Sequence, residues 1–344
     1  MLVGIVGYAG CGKSTLFELL TGAKPDPSAA HAGQRAMAVL PDERLDRLQK
    51  IYHAKKITRA AIELIDTPGL PRDSQSAARQ LAVLRNTTGL VLVIGAFAGV
   101  DPSTERARFE EDLLLADLEL VSGRLERLRD SVRKPRPDRD QQLAEIALLE
   151  PIEQALGEGK PLRELELRPE QQRAIRSFAL LTQKPRVVVV NAAEDALDAA
   201  AEAAVRLGEA GEHVEVSPLR FELELAQLND EERAAFLEDL HLERLSRERL
   251  LHAILDACGQ LTFFTAGEKE VRAWLLDRGW TAAEAAGGIH SDMQRGFIRA
   301  EVMRAADLFQ LGSERDVKAA GKHRLEGKDY VVQEEDVLLI RFSV

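Results

Sequence analysis

Gly7-Tyr8-Ala9-Gly10-Cys11-Gly12-Lys13-Ser14 fits the glycine-rich phosphate loop G-x-x-x-x-G-K-S at every fixed position. The apolar run Leu2–Val6 before it reads as a buried strand. Ser14–Thr21 after it reads as the first turns of a helix stopped at Gly22. In a strand–turn–helix setting, consecutive backbone N–H groups face a phosphate and the helix N-terminus adds partial positive charge. Lys13 then reaches the β- and γ-phosphates of a nucleoside triphosphate, and the Ser14 hydroxyl faces Mg²⁺. Gly7, Gly10, Cys11, Gly12, Lys13, Ser14 and Thr15 are the candidate phosphate-binding residues. Cys11 has two readings, an oxidation-sensitive thiol or a small filler of the loop.

Further strands follow at Ala61–Ile65, Gly89–Ile94, Val187–Asn191 and Val214–Ser217, with helical segments between them. The run at Gly89–Ile94 is continuously apolar, as strands covered on both faces are. The alternation predicts an α/β fold of the P-loop NTPase type, with a doubly wound, mostly parallel sheet. The polar stretch from Lys24 to Ala38 has neither strand nor helix period and reads as a loop over a nucleotide. Asp66-Thr67-Pro68-Gly69 closes the second strand. By itself Asp-x-x-Gly is also an ordinary strand-ending turn. After a phosphate loop, Asp66 reaches Mg²⁺ directly or through water, and the Gly69 N–H approaches the γ-phosphate. Lys13, Asp66 and Gly69 are the candidate catalytic residues, with Ser14 and Asp66 the candidate metal ligands. Leu70 stands where many GTPases carry a glutamine that orients water, and a leucine has no group for that task.

Residues 104–184 form a long insertion between the third and fourth strands. Leu113, Leu114, Leu118, Val121, Leu125 and Leu128 fall on one helical face. Lys134-Pro135-Arg136-Pro137 breaks the helix, and a second runs from about Gln141 to Leu156, which predicts an antiparallel helical arm. From Leu261 the texture turns to short strands, turns and glycines, with a short helix expected at Val271–Leu276 and a final alternating strand at 337–344. The expected domains are therefore a nucleotide-binding domain of residues 1–103 and 185–260, an arm of 104–184, and a C-terminal α+β domain of 261–344.

The chain has 344 residues, 45% of them hydrophobic, and a net charge of −11. That charge argues against a generally nucleic-acid-coating protein while leaving local basic patches open. No apolar run approaches the roughly 20 residues of a membrane span, so no membrane partner is expected. The N-terminus leads straight into a core strand without a basic leader, and the two cysteines give neither disulfide framework nor metal spacing. These features point to a cytoplasmic protein.

Asn191-Ala192-Ala193-Glu194 follows the fourth strand, and Leu261–Gly267, Glu270–Trp274, Ala285–Gly287, Arg295–Val302 and Leu325–Gln333 mark the C-terminal part. With Pro41-Asp42-x-Arg44-Leu45-Asp46 and Leu115–Glu119, these stretches resemble the YchF / Obg-like ATPase family of P-loop proteins over nearly the whole chain. The resemblance implies that residues 261–344 are a TGS domain, a ubiquitin-like β-grasp module. GTPases of this superclass read guanine with Asn-Lys-x-Asp. Here Glu194 takes the fourth position and no lysine is present, which implies ATP favoured over GTP, with Asn191 contacting the purine. From spacing alone, a cap for the next helix is the other reading of Asn191. Ser217 resembles the serine of the family's last nucleotide loop; a cap before Leu219 is its other reading.

Three departures from the family stand out. The stretch after Gly69, Leu70-Pro71-Arg72-Asp73-Ser74-Gln75-Ser76, lacks glycine. The loop Gly95–Pro102 is shortened and carries no histidine. No threonine occupies the first switch, where Ser28 is a poor substitute. Phosphate binding therefore reads as intact and the hydrolytic parts as trimmed. The expected function is Mg²⁺-dependent NTP hydrolysis, weak without a partner, in association with the ribosome. The alternative is a nucleotide-binding adapter that hydrolyses little and acts through its arm and TGS domain. Between Arg124 and Arg139 seven basic residues, among them Arg124, Arg127, Arg133, Lys134 and Arg136, face three acidic ones, a local charge of +4. This cluster reads either as a solvated helix end or as a contact to ribosomal RNA phosphates.

Overall fold

The computed structural model describes residues 1–26, 33–71, 80–133, 137–208, 212–229, 231–233, 236 and 245–343. They form two compact units, Met1–Ala36 with Glu63–Leu250, and Met37–Ile62 with Leu251–Val344. In chain order the strands are β1 (Leu2–Val6), β2 (Gln34–Val39), β3 (Ile57–Thr58), β4 (Ala61–Asp66), β5 (Gly89–Ile94), β6 (Arg186–Asn191), β7 (His213–Ser217), β8 (Gln260–Ala266), β9 (Val271–Asp277), β10 (Phe297–Arg304), β11 (Arg324–Glu326) and β12 (Asp336–Phe342).

The sheet of the first unit has the order β2-β4-β1-β5-β6-β7. From β4 to β7 every neighbour is parallel, with Val3 between Leu64 and Gly89 and Val91 opposite Val187. All six residues of β5 and all six of β6 are buried, as their unbroken apolar runs require. The sheet grows from β1 towards β4 on one side and towards β5 on the other. The crevice beyond the carboxyl end of β1 is thus a topological switch point, where open α/β sheets take their ligands.

Helix α1 (Lys13–Thr21) ends at Gly22, which adopts the left-handed conformation. Helix α2 (Glu43–Tyr52) belongs to the second unit. Helices α3 (Pro102–Ser131) and α4 (Arg139–Gly157) form the arm. Asp101 opens α3 by accepting the Thr104 N–H, and Pro102 fits the first turn, where its missing N–H costs nothing. The leucine stripe of α3 divides between two cores. Leu113 packs into the sheet core with Phe109 and Leu181, while Leu114, Val121, Leu125 and Leu128 pack with Leu149, Ile152 and Leu156 of the arm.

Asp117 holds the base of the arm. Its carboxylate is fully buried and accepts from Arg85 (2.8 Å), the Leu181 N–H (3.0 Å), and both the N–H (2.8 Å) and hydroxyl (2.9 Å) of Thr182.

In the second unit the sheet order is β11-β10-β12-β8-β9-β3. β12 runs parallel to β8, and β8 and β9 form an antiparallel hairpin. Leu261, Phe263, Leu276, Ala282, Ala300, Val302 and Leu338 build its core. Here the sequence reading needs correction: Val271–Leu276 is not a helix but most of β9. Phe263 pairs with Trp274, and the hairpin closes where the Gly267 N–H meets the Glu270 carbonyl. Val271, Ala273 and Leu276 are the buried positions, and the cross-strand partners override the helical spacing.

Two further differences concern the stretch after α1. Gln34–Val39 is strand β2, where a loop was expected, and residues 27–32, with Ser28, lie outside the described residues, as do Arg72 to Ser76. Residues 37–62, read from sequence as part of the nucleotide-binding domain, group with the C-terminal unit. There α2 packs on β9, and Ile57 pairs with Val271.

Replacing Asp117 by alanine leaves the Arg85 guanidinium and two backbone N–H groups without their acceptor. Urea denaturation followed by circular dichroism should show a loss of about 3–5 kcal/mol. Asp117→Asn, which keeps one acceptor oxygen, should lose less.

Candidate functional site

The loop Gly7–Ser14 turns between β1 and α1 with Gly7, Gly10 and Gly12 all at positive φ. At Gly12 (φ 107°) a Cβ would lie 2.3 Å from the Asn191 carboxamide nitrogen, so only glycine fits. Lys13 is buried, and its ammonium donates to the Tyr8 carbonyl at 2.9 Å, a bond that a phosphate oxygen can replace. Cys11 is 4% exposed, and burial pushes its thiol up, against the Lys13 charge. That environment matches the loop-filler reading, because a neutral thiol is a poor nucleophile.

The loop after β4 is laid directly on the phosphate loop. The Leu70 N–H donates to the Gly7 carbonyl at 3.0 Å, and Tyr8 bridges Leu70. A Cβ at Gly69 would come within 2.6 Å of the Ala9 Cα, so glycine is needed for this approach. The Ser14 hydroxyl donates to Asp66 Oδ2 at 2.7 Å, and Asp66 Oδ1 is buried with no hydrogen-bond partner. Burial pushes the Asp66 carboxyl up, while the Ser14 hydrogen bond and the Lys13 charge pull it down. Lys13, Ser14, Asp66 and Gly69 line one cleft of about 380 Å³, together with Asp26 and Gln34.

A hydroxyl beside a carboxylate with one orphaned oxygen fits a hard divalent cation. Among the described residues no group of three or more His, Cys, Asp or Glu side chains could hold a metal ion. A cation at Ser14 and Asp66 therefore needs phosphate oxygens and water to complete its shell.

Asn191, at the end of β6, donates through its amide nitrogen to the Cys11 carbonyl (3.0 Å) and accepts from the Leu219 N–H (3.3 Å). It therefore caps a helix, but Leu219–Ala226 rather than the next one, and ties that helix to the phosphate loop. Ser217 is fully buried, and its hydroxyl donates to Glu222 (2.9 Å) instead of capping that helix. Glu222 also accepts the N–H and hydroxyl of Ser246. Glu194 opens an exposed 3₁₀ turn, Glu194–Ala196, outside the phosphate cleft. Thr15 sits in the first turn of α1. Phosphate and metal candidates are thus brought together, whereas Asn191 and Ser217 pair across the ends of β6 and β7 and Glu194 lies on an exposed turn.

Several arm arginines are engaged within the arm. Arg124 makes a two-pronged pair with Glu145, both contacts at 2.8 Å, and Arg127 donates to the Gly123 carbonyl. Arg133 is 78% exposed and paired with Asp130, while Lys134 and Arg136 fall outside the described residues.

Tyr8, Asp26 and Gln34 escaped the sequence reading. Tyr8 occupies a variable position of the motif, yet its buried phenol donates to Asp112 of α3 at 2.7 Å with Arg108 over its ring. Asp26 was the one detectable signal, being the only carboxylate between Lys24 and Ala38.

Residues 2–119 match the family model described as a 50S ribosome-binding GTPase. Residues 261–343 match the YchF GTPase C-terminal model, described as a protein of unknown function. The chain is 35% identical to the ribosome-binding ATPase YchF of Bacillus subtilis (strain 168), with 100% of each covered. It is 33% identical to Obg-like ATPase 1 of Oryza sativa subsp. indica, over 99% of this chain and 92% of that protein. The solved structure of the Schizosaccharomyces pombe YchF GTPase superposes with a TM-score of 0.82 at 26% identity, covering 99% of this chain and 97% of that one. A phosphate loop at the switch point, a helical arm after β5 and full-length identity above 30% lead to one conclusion: the chain belongs to the YchF / Obg-like ATPase family.

Proposed function

We propose that this protein binds a nucleoside triphosphate with Mg²⁺ at the Gly7–Ser14 loop, favours ATP over GTP, and acts in association with the ribosome in the cytoplasm. One observation carries the reading: the Ser14–Asp66 hydrogen bond beside the orphaned Asp66 Oδ1, in the same cleft as Lys13 and Gly69. The full-length relatives named ribosome-binding ATPases support the ribosomal part.

In this reading an incoming phosphate takes the Lys13 ammonium from the Tyr8 carbonyl. Ser14 and Asp66 hold Mg²⁺, which supplies charge neutralisation at the β- and γ-phosphates when bound. The Gly69 N–H is the candidate γ-phosphate donor. Thr15 contributes a backbone N–H group in the first turn of α1, and Cys11 contributes one from the loop before it by releasing the Tyr8 carbonyl. Glu194, longer than the aspartate that reads guanine, is the basis for favouring ATP. Asn191 and Ser217 meet a purine only by sharing the hydrogen bonds they already make.

Slow intrinsic turnover is the reading that Leu70 and Gln34 support. Leu70 is 3% exposed and packs in the sheet core, and the Gln34 carboxamide is engaged with Asp26 and Lys24. Neither orients an attacking water. These engagements favour the second reading, an adapter that holds nucleotide, hydrolyses little, and acts through its arm and C-terminal TGS domain. No described helix is long and apolar enough to cross a membrane.

Titration with ATP and GTP in Mg²⁺ should give the tighter affinity for ATP, and phosphate release should rise when ribosomes are added. Equal purine affinities would remove the Glu194 argument, and tight binding with no release under either condition would leave the adapter. Lys13→Ala should weaken ATP binding by roughly 10- to 100-fold, the worth of one charged hydrogen bond to phosphate. For the arm, reversing Arg133, Lys134 and Arg136 to glutamate should abolish ribosome co-sedimentation at low salt. Unchanged sedimentation would discard RNA contact at the arm tip.

A further inference from the structure

We infer that Asp112 of α3 is a positioning residue for the phosphate loop, acting through Tyr8, and that it makes triphosphate binding and the seating of the arm helix depend on one another. This rests on the nucleotide-binding reading and adds the regulation of that same site. Tyr8 is a junction of three segments. Its carbonyl accepts from the Lys13 ammonium at 2.9 Å and from the Cys11 N–H at 3.4 Å. Its backbone bridges Leu70, the residue after Gly69. Its side chain is buried and gripped by α3. The phenol donates to Asp112 Oδ2 at 2.7 Å, and the Arg108 guanidinium, one turn earlier, lies 5.4 Å from the ring centroid.

Triphosphate binding disturbs this junction at its carbonyl. The phosphate takes the Lys13 ammonium and the Cys11 N–H, so the Tyr8 carbonyl loses both of these donors. A buried carbonyl without a donor costs free energy, and the peptide relieves that cost by turning. A hydroxyl bonded to a carboxylate is a strong, charge-assisted contact, so the Tyr8 ring stays attached and the turn of the loop is transmitted to α3. Asp117, five residues beyond Asp112, supplies the pivot: its buried carboxylate pins α3 to Leu181 and Thr182. Tyr8 grips the helix on one side of that pin, and the arm residues Val121, Leu125 and Leu128 lie on the other. A shift at Asp112 is carried along one continuous helix to Ser131, roughly 29 Å further on. By reciprocity, a partner that holds the arm changes nucleotide affinity by the same factor.

The test is hydrogen–deuterium exchange of the full-length protein, with and without Mg²⁺ and the non-hydrolysable ATP analogue adenylyl-imidodiphosphate. In the parent, the analogue should protect Lys13–Thr21 and change exchange in the 105–116 stretch of α3 by about fivefold or more. Tyr8→Phe keeps the ring in its packed site and removes only the donor. It should abolish the response of α3, leave Lys13–Thr21 protected, and weaken the analogue's affinity by about fivefold. Asp112→Asn, which keeps an acceptor oxygen without the charge, should retain part of the response. A purely structural tie would lower the melting temperature of Tyr8→Phe and leave the α3 response at the parent's size, which would overturn the coupling. So would a parent whose Lys13–Thr21 is protected while α3 does not respond. If the analogue changes exchange nowhere between Gly7 and Thr21, the nucleotide-binding reading fails and the coupling fails with it.

Discussion

β1 and β4 run side by side with Ile5 opposite Asp66, and the groups of the phosphate cleft take their positions from that pairing. The two bonds that Thr67 makes to the Ile5 carbonyl, from its N–H at 3.4 Å and its hydroxyl at 2.6 Å, hold the register at the strand end. A slip of one residue would turn Asp66 to the other face of the sheet and away from Ser14. Because both strands are parallel and covered, their register is set by the core, not by a turn. The hydrophobic packing of Ile5, Leu64 and Ile65 therefore fixes the geometry of a polar site.

A second theme is the use of single buried polar side chains to join segments distant in sequence. Asn191 reaches the phosphate loop across 180 residues, and Tyr8 reaches Asp112 across 104. Asp117 ties the arm to the segment before β6, and Glu222 joins Ser217 to Ser246. Each such group must be fully paired to be tolerated in a low-dielectric interior. The Tyr8–Asp112 bond, with Lys13 resting on the Tyr8 carbonyl, also places the phosphate loop in direct contact with the helix that begins the arm.

Much of this was legible beforehand. The phosphate loop is eight contiguous residues whose types are dictated by backbone conformation and charge. Asp66 ends, and Gly69 follows, a strand that its apolar residues announce. Elsewhere local pattern misled. Val271 to Leu276 carries a spacing compatible with a helix, yet six cross-strand pairings with Leu261–Ala266 make it a strand. Gln34–Val39 has too many small and polar residues to signal a strand, and its edge position in the sheet explains why it needs no apolar run. Asn191 was readable as a cap, but its helix lies 28 residues away, beyond any local rule.

Sequence alone determined the phosphate loop, the Ser14 and Asp66 residue types at its two ends, the parallel α/β architecture and the arm, since each is encoded by contiguous pattern or short spacing. Tertiary structure alone decided that Ser14 meets Asp66 across 52 residues, that Leu70 is buried beneath the loop, that Asp26 faces the same cleft, and that residues 37–62 pack in the second unit. The physical reason is one of range. Propensity and periodicity act over a few residues, whereas burial and hydrogen-bond satisfaction choose partners only once the chain has closed on itself.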